Sequence, residues 1–173
     1  MELDLASLPE LAYDESAIFS SRVFRAPREL VYEAFVDPRQ VVQWWGPHGF
    51  TTTIHEMDVR TGGKWKLTMH GPDGTNYPNT MTFIEVVPYN RIRLGLFGCR
   101  EGAEPIRLNK TLTWEDAPEG TLMTWRIDFP SREQRDANVR EYGSVQGLRD
   151  LFERLESLLS AANPCSNEEE VTA

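Results

Sequence analysis

The stretch from Ser131 to Ala162 constrains this chain more than any other, because it predicts one long helix whose apolar face something else must cover. Ser131 is a candidate N-cap with Gln134 three residues on. Val139, Tyr142, Val145, Leu148, Phe152, Leu155 and Leu159 then recur at steps of three and four. Two glycines, Gly143 and Gly147, share a face beside that stripe. An interior glycine weakens a helix by about 1 kcal/mol relative to alanine, so the pair predicts the close approach of a packed strand or of a ligand.

Upstream, Ala17 to Arg25 reads as a strand ended by Ala26-Pro27. Pro27 opens a short helix through Phe35, and Asp37-Pro38 caps and opens a second that runs to Trp45-Gly46. From Thr51 the period changes to two. Turn chemistry recurs at Thr61-Gly62-Gly63, Gly71-Pro72-Asp73-Gly74, Pro88-Tyr89-Asn90, Gly98 to Pro105 and Asp116 to Gly120. That spacing predicts a meander of about six strands. A single curved sheet must bury its inner face against the one long apolar helix. The expected fold is α+β: a curved antiparallel sheet wrapped around and gripping a long C-terminal helix, with two short helices after the first strand.

Charge and composition narrow the function. Of the formal net charge of −9, five acids lie in residues 1–16, which hold no base, and three more are Glu168, Glu169 and Glu170. The two ends therefore read as an acidic N-terminal extension (1–16) and a disordered acidic tail (163–173) around a domain at 17–162. The near-neutral centre lacks the basic footprint of a nucleic-acid binder. The first residues lack the basic start and apolar core of a signal peptide, and no apolar run reaches membrane-span length, so a cytoplasmic protein is expected. Cys99 and Cys165 give neither a disulfide framework nor metal-ligand spacing. No Gly-rich phosphate loop, nucleophile elbow or Cys/His catalytic pattern occurs, so no cofactor is expected.

Several motifs in order carry a family resemblance. The run Ala26-Pro27-Arg28-Glu29-Leu30-Val31, then Asp37-Pro38, Trp44-Trp45-Gly46-Pro47, His55-Glu56-Met57-Asp58-Val59-Arg60, Gly62-Gly63-Lys64-Trp65, Met69-His70-Gly71-Pro72-Asp73-Gly74 and Phe129-Pro130-Ser131 resembles the bacterial activator-of-heat-shock-ATPase-like family. That family belongs to the START-related, birch-pollen-allergen-like superfamily (SRPBCC). The resemblance spans about residues 17–160 and implies the helix-grip fold. The superfamily includes lipid and hormone carriers, polyketide cyclases, toxin-sequestering proteins and a chaperone co-activator, so it implies no single activity.

The hairpin around Thr61-Gly62-Gly63 decides which side chains face inward. A three-residue loop sets Val59, Met57 and His55 opposite Trp65, Leu67 and Met69, and Asp58 and Glu56 opposite Lys66 and Thr68. One face is then apolar and the other charge-paired, whereas a two-residue loop mixes the classes. In the first register His55 is the one titratable group on the apolar inner face, able to bind a ligand hydroxyl or carboxylate or to act as acid or base. Glu56, its neighbour, points the other way. His70 is expected outward, away from His55, and His48 lies in a turn, so no three-histidine metal site is expected.

Trp44 and Trp45 end the second short helix and can close a cavity or cap the core. Met123, Trp125, Ile127 and Phe129 alternate on the last strand and, with Trp65, Met69, Met81 and Phe83, predict an inner surface rich in methionine and aromatics. The candidate ligand-binding residues are therefore Trp45, His55, Met57, Trp65, Leu67, Met69, Met81, Phe83, Trp125, Gly143 and Gly147, with no metal ligands. The first reading is a soluble protein that binds a small hydrophobic or aromatic molecule between the sheet and the long helix. The alternatives are a cyclase, dehydratase or hydrolase using a cavity histidine, and an interaction module that contacts a chaperone. A free strand edge, which such sheets leave, is the geometry a homodimer uses.

Overall fold

The computed structural model of the protein describes residues 11–14, 16–98 and 102–162. Strands β1 (Leu11–Asp14) and β2 (Ala17–Phe24) are followed by helices α1 (Arg28–Val36) and α2 (Pro38–Trp44). Six strands come next: β3 (Thr51–Met57), β4 (Lys64–His70), β5 (Asn76–Val87), β6 (Arg91–Gly98), β7 (Ile106–Ala117) and β8 (Gly120–Asp128). Helices α3 (Arg132–Tyr142) and α4 (Ser144–Ala162) end the described chain. All strand pairs are antiparallel, in the order β1-β2-β8-β7-β6-β5-β4-β3, so the meander's last strand returns to pair with β2. This is the expected helix-grip arrangement of a curved sheet around a C-terminal helix.

Leu11–Asp14, which the sequence reading places in the acidic extension, pairs with Ala17–Ser20 as an edge strand. The sheet therefore takes in residues before Ala17. Residues 1–10, the tail at 163–173 and both cysteines lie outside the described residues.

The short helices are set by their first residues. Asp37 accepts a hydrogen bond from the Arg39 backbone N–H at 3.0 Å, and Pro38 occupies the first turn, where its missing N–H costs nothing. The far end of α2 is held from α4. Arg154 Nη1 donates to the carbonyls of Trp45, Gly46 and Pro47 at 2.9–3.2 Å, and Nη2 to that of Gln43 at 3.1 Å. One guanidinium thereby caps the end of α2 and the turn that follows it, and fixes α4 across α2.

The core lies where α1, α2 and α4 meet the inner face of the sheet. Phe35 on α1 packs against Trp44, Trp45, Trp65, Trp114 and Trp125, with ring centroids 5.6–6.0 Å apart. Along β8, Thr121, Met123, Trp125 and Ile127 are buried in alternation. Leu148, Leu151, Phe152, Leu155 and Leu159 of α4 close the core, and the Phe152 ring meets those of Phe24 and Trp125.

The single long helix expected over 131–162 is two. Ser131 is the N-cap as expected, its Oγ accepting from the Gln134 N–H at 3.1 Å. At Gly143, however, φ is +58°, and α3 ends there in the left-handed conformation. Glycine adopts that conformation freely, and α3 buries no residue, so no continuous apolar face compels the chain to run straight. Gly147 is a true helical glycine, and a Cβ built on it meets only the Pro47 Cγ, at 3.5 Å, an ordinary contact. Neither glycine thins the grip.

The two positions should respond oppositely to alanine. Gly143→Ala should destabilise by about 1–2 kcal/mol through the left-handed φ. Gly147→Ala should be neutral or stabilising by up to about 1 kcal/mol through helix propensity. Urea midpoints of both variants check this, and equal losses at the two sites would contradict it.

Candidate functional site

The β3–β4 hairpin settles the fate of His55. Its connection runs over residues 58–63, and Asp58 N–H donates to the Lys64 carbonyl at 2.8 Å, so Met57 pairs with Trp65. Relative to the expected register this is a slip of two, which keeps every residue on its face. A bulge between Ile54 and Glu56 then inserts one residue and reverses the parity. Ile54 turns inward opposite Leu67, and His55 is exposed on the outer face, its Nε2 2.9 Å from Thr68 Oγ1. The inward histidine of the sequence reading is thus corrected. His55 instead borders a shallow groove of about 600 Å³ between α2 and β3, with Arg39, Val42 and Thr52–Met57.

The other histidines are equally remote from the interior. His70 shares the outer face with His55, bonding Thr53 Oγ1 and Asn76 Oδ1, each at 2.8 Å, so it does not point away from it as expected. His48 pairs with Glu153 at 2.9 Å, and its backbone N–H donates to Asp150 at 3.2 Å, an exposed cluster at the α2–α4 junction. No histidine lines the inner cavity among the described residues, so the histidine-centred enzyme reading loses its acid–base group.

The interior that the sequence reading reserved for a ligand under the long helix is filled. Trp45, Trp65, Leu67, Met81, Phe83 and Trp125 are all buried in the core, and Met57 packs at its edge. A cavity of about 180 Å³ lies instead beneath α3, beside that core. The sheet contributes Met69 and Tyr77 from β4 and β5, Leu96 and Gly98 from β6, Ile106 and Leu108 from β7, and Ile127 from β8. Phe129 just beyond β8 and Asn138 and Tyr142 of α3 complete it, with Asn79 at one side. Of the candidate residues only Met69 lines this space.

Gly98 permits one of its polar walls. A Cβ there would lie 2.5 Å from Asn79 Oδ1, so only glycine lets the Asn79 amide rest against β6, where its Nδ2 donates to the Tyr77 carbonyl at 2.8 Å.

The decisive group is Lys110 on β7, which also lines the cavity. Its strand alternates Ile106, Leu108, Lys110, Leu112 and Trp114 on the inner face, so a lysine occupies a core-facing position. Its Nζ sits 5.2 Å from the Trp45 ring centroid and 5.6 Å from that of Trp125. Two indole faces offset part of the cost of enclosing an ammonium. No carboxylate among the described residues does so: none of them lines the cavity, and Lys110 Nζ makes no hydrogen bond or ion pair with them. Burial pushes its pKa down from 10.5 to about 8. The β7 alternation carried this signal in sequence, as an inward lysine amid Leu and Trp.

A larger depression, about 680 Å³, lies on the opposite face of the sheet. It is bordered by Lys64, Arg107, Asp128 and Phe97, the last 42% exposed, with the Arg107 guanidinium 4.7 Å from the Phe97 ring. Its Lys64 and Arg107 are exposed, whereas the smaller inner cavity sets a part-buried Lys110 on a largely apolar wall and is the better candidate.

Against this geometry, the sequence profile of the family described as Activator of Hsp90 ATPase homolog 1-like protein matches residues 25–160. The chain belongs to this family. Among solved structures of similar fold, a protein from Mycobacterium smegmatis is 24% identical with a TM-score of 0.80, over 89% of this chain and 98% of that one. One from Arthrobacter aurescens is 25% identical with a TM-score of 0.79, over 94% and 97%. One from Chromobacterium violaceum is also 25% identical with a TM-score of 0.69, over 83% and 96%. No curated protein matches the chain. Family membership confirms the fold and is compatible with a ligand-binding interior. No helix among the described residues is long and apolar enough to cross a membrane.

Two measurements follow from the placement of these residues. Below pH 8 the folded protein confines a charged Lys110 that the unfolded chain exposes to water, so Lys110→Met should be more stable than wild type at pH 7. Between pH 8 and 10.5 the unfolded chain holds the extra proton, so wild-type stability should rise with pH relative to the variant, by roughly 1–3 kcal/mol. Paired urea titrations across that range check the sign, and a constant difference would contradict it. His55→Ala, on the outer face, should change stability by less than about 0.5 kcal/mol and leave occupancy of the inner cavity unaltered. Any effect of that variant on an inner-cavity ligand would refute the bulged register.

Proposed function

We propose that this chain binds a small apolar or aromatic molecule in the cavity between the sheet and α3. The observation that carries the reading is the state of Met69, Leu96, Ile106 and Leu108. These side chains sit on the inner face, where their neighbours are fully buried, yet they remain only half-buried around a space of about 180 Å³. A void of about 150 Å³ holds a benzene-sized guest, while drug-sized molecules need about 300 Å³ or more. The space suits one ring or a short branched chain. Its polar groups, Lys110, Asn79, Asn138 and Tyr142, converge from both sides and would orient such a guest. The chaperone-contact alternative rests on the family's description alone.

Toluene titrated into the labelled protein and followed by methyl NMR should shift Leu96, Leu108 and Ile127 with saturation. Leu108→Trp, which fills the space from a half-buried position, should weaken that binding by about tenfold or more while keeping the fold. Toluene shifts that are absent in wild type, or unchanged in Leu108→Trp, would refute the assignment.

A further inference from the structure

We propose that the guest is an organic anion, a single-ring or short-chain carboxylate whose charge is met by Lys110. This deepens the cavity reading and rests on it. The argument starts from an imbalance. A lysine stem enters the inner face of β7 between Leu108 and Leu112, and its ammonium reaches the cavity beneath the Trp45 and Trp125 rings. Among the described residues no acidic group lines the cavity, and Nζ has no hydrogen-bond or salt-bridge partner. A purely structural position on this apolar face would accommodate leucine or methionine with less cost, because even a part-buried ammonium without a counter-ion loses hydration that no protein group replaces.

Cation–π contact leaves the N–H groups without acceptors, since ring faces attract the charge without satisfying the donors. What this end of the cavity lacks is therefore an anionic acceptor, while the remaining wall of Met69, Leu96, Leu108, Ile127 and Phe129 is apolar. A molecule with a carboxylate at one end and a ring or short hydrocarbon at the other complements both. It would add a charge-assisted hydrogen bond on a largely apolar wall, where such bonds are stronger than in open water. A cation is disfavoured by Lys110 itself, and a neutral hydrocarbon leaves the ammonium unanswered.

Benzoate and benzyl alcohol, close in size and differing in charge, separate the possibilities by calorimetry on the full chain at pH 7. Wild type should bind benzoate about tenfold or more tightly than benzyl alcohol. Lys110→Met should lose that preference, weakening benzoate by about tenfold while leaving benzyl alcohol within about twofold. Lys110→Gln serves the same comparison if the methionine variant does not fold. Equal wild-type affinity for the two probes, or a benzoate preference that survives both substitutions, would overturn the anion assignment and leave the apolar cavity standing. Failure of wild type to bind benzoate, benzyl alcohol or toluene would overturn the cavity reading and this inference with it.

Discussion

The contact on which the rest of the structure depends is the embrace of Phe35 by all five tryptophans of the chain. It joins α1, the end of α2 and strands β4, β7 and β8 in one cluster. Tilted and edge-to-face aromatic pairs contribute about 0.5–1.5 kcal/mol each beyond the area they bury. The indole N–H of Trp44 is satisfied by the Ala34 carbonyl at 2.8 Å, whereas those of Trp65, Trp114 and Trp125 are buried without partners. Such donors are costly, about 1–3 kcal/mol each, and are tolerated because the rings bury so much apolar surface.

The cluster also explains where empty space can exist. Around Phe35 the sheet is covered by α1, α2 and α4, and large rings fill the volume. Farther along β5, β6 and β7 the cover passes to α3, which is polar and buries no residue. The inner face there carries Leu96, Ile106 and Leu108, which stay only half-buried. The cavity is the boundary between a well-filled and a thinly covered part of one sheet. Lys110 sits at that boundary, its stem among core residues and its ammonium against Trp45 and Trp125, members of the same cluster.

The break between α3 and α4 belongs to the same division. Arg154 clamps α4 to the end of α2, and Phe152, Leu155 and Leu159 bury into the cluster, so α4 is held firmly. Gly143 lets α3 leave that axis and lie over the cavity with Asn138 and Tyr142 toward it. Continuous helix through Gly143 would have required a buried stripe along α3, which its composition of Arg, Glu, Gln and Asp does not provide.

Period, turn and cap chemistry were sufficient for the helix-grip fold, the two short helices, the six-strand meander and the Ser131 and Asp37 caps, because these depend on residues close in sequence. The inward set Trp65, Leu67, Met81, Phe83 and Trp125 was equally legible, since alternation along a strand is a local property. Three features were not. The bulge at His55 changes side-chain parity without any marker in composition, so an inward histidine was expected where an outward one stands. The bend at Gly143 is drawn from a residue that suits both a packed helix and a left-handed cap, and only the lack of a partner for α3 decides between them. The cavity depends on how far α3 stands from β6 and β7, a distance between segments remote in sequence. Lys110 was visible as a letter at an inward position of β7. The lack of a carboxylate partner for it among the described residues, and its seat on two tryptophans contributed by α2's end and by β8, exist only once those elements are brought together.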